Sequence, residues 1–240
     1  MAGYQGEFST ESCEMRPSQK LPIVEAVAFD LDGLMVNTEE LYTEVGGVML
    51  ERRGKRITRE LLDHMMGRQS HVALQVMIDW HRLDDTVEQL QNETDEIFSS
   101  LLEERLAPMP GLLSLLDKLA LHAIPKAVTT SSRRCFVDRV LELLDIRDHF
   151  QFFLTAEVIE RGKPDPEIYQ KAAKQFHVEP ERLMVLEDSE IGCRAALAAG
   201  AYTVAVPGEH SRNHDFSGVH LVAESLADPS IEQLFIRSSC

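Results

Sequence analysis

Short apolar runs and longer amphipathic stretches alternate along most of this 240-residue chain. Six apolar runs read as strands, at about 23–29, 124–129, 151–155, 183–187, 202–206 and 219–223. Between the later runs, apolar residues recur every three or four positions, which predicts helices over about 111–122, 133–144, 166–177 and 190–199. Such alternation predicts an α/β protein with a doubly wound, mostly parallel sheet covered on both faces. Residues 38–105 break the rhythm. They show only helical periodicity and many charges, as in Leu61-Leu62-Asp63-His64-Met65-Met66 and Val87-Glu88-Gln89-Leu90-Gln91-Asn92-Glu93. The expected organisation is therefore a core of 21–37 and 106–240, an inserted all-helical cap domain at 38–105, and a polar, flexible tail at 1–20. Trp80, the single tryptophan, is expected in the core of the cap.

Composition narrows the possible partners. The formal net charge of −16 argues against binding to nucleic acid or to an anionic membrane surface, both of which need a basic footprint. A small anionic substrate is compatible with it, because local cations or a metal ion reverse the field inside a cleft. No apolar stretch approaches the roughly 20 residues that cross a bilayer, and the first residues lack the apolar centre of a signal peptide. A cytoplasmic monomer is the expectation. Cys13, Cys135, Cys193 and Cys240 are scattered, which fits reduced thiols better than a zinc site or disulfides.

Four segments carry the chemistry. Asp30-Leu31-Asp32-Gly33 directly follows the first apolar run, at the strand end where open α/β sheets bind ligands. Residues two apart on a strand point the same way, so both carboxylates can converge on one metal-bound, phosphate-sized site while Gly33 allows a sharp turn. Asp30 suits a nucleophile that attacks phosphorus, and Asp32 an acid/base whose backbone carbonyl also reaches the metal. A strand-end turn is the plain alternative. Thr130 and Ser131 end the second run ahead of a helix, where hydroxyls and free amides hold phosphate or cap the helix. Lys163 sits in Gly162-Lys163-Pro164-Asp165-Pro166, whose prolines present an ammonium rigidly to the nucleophile and the phosphoryl group. Glu187 and Asp188 end a third run, and their hard oxygens suit Mg²⁺, Asp188 more directly and Glu187 partly through water.

The order of these segments resembles the haloacid dehalogenase-like hydrolase superfamily, over roughly 22–225. The resemblance implies a Rossmann-like core with a helical cap and a Mg²⁺-dependent phosphoryl-transfer enzyme. Asp30 would be the nucleophile, Asp32 the acid/base, Thr130 and Ser131 phosphate ligands, Lys163 the cation, and Asp30, Asp32, Glu187 and Asp188 the metal ligands. Dehalogenases lack the second acid and ion-pumping relatives carry Thr there, so Asp32 points to phosphomonoesters. Asp30 to Tyr42 and Glu187-Asp188-Ser189-x-x-Gly192 are similar to the β-phosphoglucomutase-like group. The mutase itself would have His at Tyr42, which favours a phosphatase of a sugar, polyol or nucleoside monophosphate over a mutase. Asn37 departs from the Asp of many relatives and is expected to order the hinge through turn-type hydrogen bonds. In the cap, Met66-Gly67-Arg68-Gln69 is the candidate specificity loop. Arg68 either offers paired hydrogen bonds to substrate or is a solvated residue after a helix-ending Gly.

Overall fold

The computed structural model describes residues 24–65 and 70–236. The elements are, in chain order, β1 (Ala26–Phe29), α1 (Thr38–Arg52), α2 (Arg59–Met65), α3 (Ser70–His81), α4 (Val87–Arg105), α5 (Leu112–Leu121), β2 (Lys126–Thr129), α6 (Arg134–Leu143) and β3 (Phe152–Leu154). They continue with α7 (Glu167–Phe176), β4 (Leu183–Glu187), α8 (Glu190–Ala198), β5 (Tyr202–Ala205), β6 (Leu221–Val222) and α9 (Pro229–Gln233). The strands form one sheet in the order β3-β2-β1-β4-β5-β6, and every neighbouring pair is parallel. All six expected strands and four expected core helices are present. Strand β4 has the expected bounds, the other five are shorter than the apolar runs, and the short α9 was not foreseen. Pro125 illustrates the trimming: its carbonyl accepts the Val27 amide, but it has no N–H to extend the ladder.

Strand periodicity sorts the core. Val27 and Phe29 of β1 pack with Leu112, Leu116, Val137 and Leu141 of α5 and α6. Ala26 and Ala28, on the other face, pack with Ile168, Tyr169, Ala172 and Ala195 of α7 and α8. The small side chains on that face let α7 approach closely and bring Tyr169 beneath the strand ends. The strand order reverses around β1, so the crevice lies beyond the carboxyl ends of β1 and β4.

Helices α1 to α4 occupy the segment expected to be helical. The α1 and α4 helices lie against each other, and Met49, Leu50, Leu90 and Leu102 are buried. Arg53 holds the end of this unit through two bonds to Asp85, 2.8 and 2.7 Å, and one to Glu93, 2.6 Å. Trp80 is not in this core. It is 39% exposed and near the His64 ring, with centroids 5.2 Å apart, at the edge of the α3 stripe that buries Leu74, Met77 and Ile78. The residues assigned to the tail, and the loop carrying Arg68, lie outside the described residues.

The two connections to the helical segment run side by side. Val36 bridges Pro108, the Asn37 amide donates to the Ala107 carbonyl, and the Met109 amide to Met35. The Asn37 side chain completes this clasp, accepting from the Ala107 amide at 2.9 Å and donating to the Arg105 carbonyl at 3.2 Å. The side chain thus orders the hinge across its two strands rather than within a local turn. A carboxylate could not make the second bond, since it has no proton to donate when ionised. Asn37→Ala is expected to lower stability by about 1–2 kcal/mol, the net worth of two such hydrogen bonds, read as a shift of the urea midpoint at unchanged slope.

Candidate active site

Three strand ends and one loop meet over β1. The strand itself stops at Phe29, and Gly33 turns the chain back at φ +78°. A Cβ on Gly33 would lie 2.6 Å from Asp188 Oδ2, so the glycine also makes room for a carboxylate. Because β1 ends before Asp30, the two aspartates are not aligned by strand pleating. Asp30 turns to the buried cation and Asp32 to a set of hydroxyls.

Lys163 Nζ donates to Asp30 Oδ1 at 2.5 Å, Glu187 Oε1 at 2.7 Å and the Thr129 carbonyl at 3.1 Å. It also lies 5.2 Å from the centre of the Tyr169 ring. Burial alone would lower the proton affinity of this ammonium, but the charges of Asp30 and Glu187 hold it well above its ordinary value. Lys163 is therefore a fixed cation. Glu187 is fully buried and saturated with donors: Lys163 and the Tyr169 hydroxyl on one oxygen, each 2.7 Å, and the Ser189 amide and hydroxyl on the other, 3.2 and 2.9 Å.

Gly192, at the start of α8, makes this carboxylate possible, since a Cβ there would lie 1.7 Å from Glu187 Oε1. Gly192→Ala must displace Glu187 and with it Lys163. Overpacking costs about 1–3 kcal/mol, and the variant is expected to lose at least that much in urea unfolding together with most of its activity.

Asp30 and Asp188 are 7% and 9% exposed. Burial pushes the Asp30 carboxyl up to about 8, with Lys163 opposing and Glu187 and Asp32 adding to the rise. Burial, then the charges of Glu187, Asp30 and Glu39, pushes Asp188 well above the carboxylate range. Oxygens of Asp30, Glu187 and Asp188 all lie within 4.8 Å of one another, and Asp188 has no hydrogen-bond donor among the described residues. Crowded, desolvated hard oxygens of this kind fit a divalent cation, which relieves their repulsion and suits their chemistry. The Asp188 side chain is open to such an ion, whereas both Glu187 oxygens are already engaged.

The Asp32 carboxylate stands outside this group. Thr38 donates to one oxygen at 2.9 Å, and Ser132 and Thr130 donate to the other at 2.6 and 3.4 Å. Thr130 is buried, and its amide bonds the Leu154 carbonyl. Ser131 is exposed, and its amide and hydroxyl have no partner among the described residues. Neither residue caps α6. The N-cap is Arg133, with no side-chain cap, and the Arg134 amide bonds the Glu157 carboxylate from across the loop. Ser132, Thr38 and Tyr169 were not singled out from the sequence. Ser132 carried a weak signal, as a third hydroxyl following Thr130 and Ser131.

The comparisons agree with this geometry. A family model described as haloacid dehalogenase-like hydrolase matches residues 27–206. The chain is 33% identical to a phosphorylated carbohydrates phosphatase of Thermotoga maritima, covering 74% of this chain and 82% of that protein. It is 31% identical to a protein of Drosophila melanogaster named as a probable pseudouridine-5′-phosphatase, covering 85% of this chain and 91% of that one. The crystal structure of CbbY from Rhodobacter sphaeroides in complex with phosphate superposes with a TM-score of 0.72 at 26% identity, covering 85% and 96% of the two chains. A parallel sheet in this order, its acidic strand ends gathered around Lys163, and a match over three quarters of the sequence lead to one assignment: the chain belongs to the haloacid dehalogenase-like hydrolases.

Proposed function

We propose that the protein is a Mg²⁺-dependent phosphatase that hydrolyses a small phosphorylated metabolite, a sugar, polyol or nucleoside monophosphate, through an aspartyl-phosphate on Asp30. The observation that carries this reading is the buried Lys163 bridge between Asp30 and Glu187, beside a carboxylate, Asp32, held only by hydroxyls. A fixed cation and a second acid within one crevice meet the two needs of phosphoryl transfer, electrostatic stabilisation and proton movement. The activities named for the relatives point to the same substrate class.

In this reading Asp30 attacks phosphorus and the phosphorus–oxygen ester bond breaks. Asp32 gives its proton to the departing alkoxide, then takes one from the water that attacks the aspartyl-phosphate, releasing inorganic phosphate and restoring Asp30. Lys163 balances the charge of the nucleophile and of the transferring group. The Ser131 amide and hydroxyl, without a partner among the described residues, and the Thr130 hydroxyl would bind phosphate oxygens. Asp30, Asp188 and the Asp32 carbonyl, supported by Glu187, would hold Mg²⁺, which when bound supplies positive charge to the transferring phosphoryl group.

Residues 21–37 and 106–240 act in this scheme as the catalytic core and 38–105 as the cap that carries specificity, Arg68 included. The test is phosphate release from a panel of sugar, polyol and nucleoside monophosphates with Mg²⁺ or EDTA. Metal-dependent release of free phosphate is expected. An isomerised sugar phosphate without free phosphate would replace this reading with a mutase.

A further inference from the structure

A cavity of about 990 Å³ opens between α1, α3, α4 and the start of α6 and meets the crevice at Glu39 and Ser132. Whatever is esterified to the phosphate has this space to enter. The volume is at the upper end of the range for small-molecule sites, and a phosphorylated triose would leave most of it to water.

Its wall is aromatic. Tyr42 of α1 stacks on Phe98 of α4, with ring centres 4.3 Å apart and planes 19° from parallel. Phe98 in turn meets Phe136 of α6 at 5.9 Å, so a row of rings crosses from the helical segment to the core. Phe98 is buried, but Tyr42 is 49% exposed. With one face covered by Phe98, its exposed surface is that of a held ring. Tyr42 lies one helical turn beyond Thr38, the residue whose hydroxyl holds Asp32, and residues four apart share a helix face. The ring is thus set beside the proton donor, where the leaving group departs.

Polar groups complete the cavity. Gln91 donates to Asp95 one turn further along α4 at 3.0 Å, and both line the same space. Desolvation in the cleft, then the charges of Asp32, Glu39 and Asp95, keeps the Tyr42 hydroxyl protonated, and Asp95 and Tyr42 line the same cavity. A flat apolar face next to amide and carboxylate groups matches a heteroaromatic base, with a π-face to stack and a hydrogen-bonding edge. A bare sugar lacks the flat ring.

We propose that the leaving group is a nucleoside whose base stacks on Tyr42 and turns its polar edge to Gln91 and Asp95. The inference rests on the phosphatase reading for turnover, but not for binding. Base stacking on an aromatic side chain predicts a kcat/KM at least about tenfold higher for uridine or adenosine 5′-monophosphate than for ribose 5-phosphate. Tyr42→Leu should lower kcat/KM for the nucleotide about tenfold more than for ribose 5-phosphate, through KM, while Tyr42→Phe keeps the preference. Equal values for the nucleotides and ribose 5-phosphate, or equal proportional losses in Tyr42→Leu, overturn it. Calorimetric titration with uridine, adenosine and ribose decides the point without turnover. A nucleoside bound at least tenfold more tightly than ribose, with the advantage lost in Tyr42→Leu and kept in Tyr42→Phe, supports the proposal, and equal binding overturns it. Failure of the phosphatase reading shows separately, as no phosphate released from any of the three esters.

Discussion

Asp30→Asn is expected to abolish phosphate release and leave the fold intact or firmer. The amide has the shape of the carboxylate but cannot form the phosphorylated intermediate, and loss of a covalent nucleophile costs on the order of 10⁴–10⁶-fold in turnover. Stability moves the other way. A carboxyl pushed up to about 8 by burial ionises earlier in the unfolded chain than in the folded one. The folded state is therefore weakened as pH rises from the ordinary carboxylate value towards 8. The neutral amide removes that penalty and still accepts from Lys163. In metal-free buffer the wild type should lose thermal stability between pH 5 and 8, and Asp30→Asn should lose less. Undiminished phosphate release by the variant would remove Asp30 from the mechanism.

Lys163→Met should fail in both respects. It takes one cation from two buried carboxylates, Asp30 and Glu187, and leaving buried charge uncompensated costs about 3–5 kcal/mol. Removing a preorganised electrostatic partner costs on the order of 10²–10³-fold in kcat. Lys163 is the group that holds Asp30 down, so without it Asp30 takes up its proton more firmly and is neutral over a wider range. In metal-free buffer the variant's stability should then keep falling to higher pH than that of the wild type. A variant whose stability falls over the same pH range as the wild type would detach Lys163 from the ionisation of Asp30.

The parts of the site legible in the sequence were those written as runs. The apolar segments before Asp30, Thr130 and Glu187 announce buried parallel strands, and their order along the chain is enough to place their ends together. What could not be read depends on register. Ser132 and Thr38 reach Asp32 from separate elements, and nothing in their local sequence distinguishes them from helix-start hydroxyls. Tyr169 reads as a core aromatic of an amphipathic helix, and only the close approach of α7 to the alanines of β1 brings its hydroxyl to Glu187. The expectation that Asp30 and Asp32 share a strand face assumed one more turn of ladder than β1 has. Gly192 fitted a motif, but the reason for it, the Glu187 carboxylate lying where a side chain would be, appears only in three dimensions. Trp80 was expected inside the cap, yet the buried stripe of α3 runs through Leu74, Met77 and Ile78.

The clasp at Asn37 has a topological consequence. Chain leaving β1 and chain returning toward α5 are hydrogen-bonded neighbours at Asn37 and Ala107, so the 68 positions from 38 to 105 form an excursion that begins and ends at one place. Closely spaced ends are what let one fold accept another as an insertion. The strand order would survive if that excursion were shortened, lengthened or exchanged, and a chain spliced from 37 to 106 would still thread every strand of the sheet in sequence. Strand β1 and the helical segment that follows it are joined through the chain at that one place, while Thr38 on Asp32 and Phe98 on Phe136 are contacts made only in space.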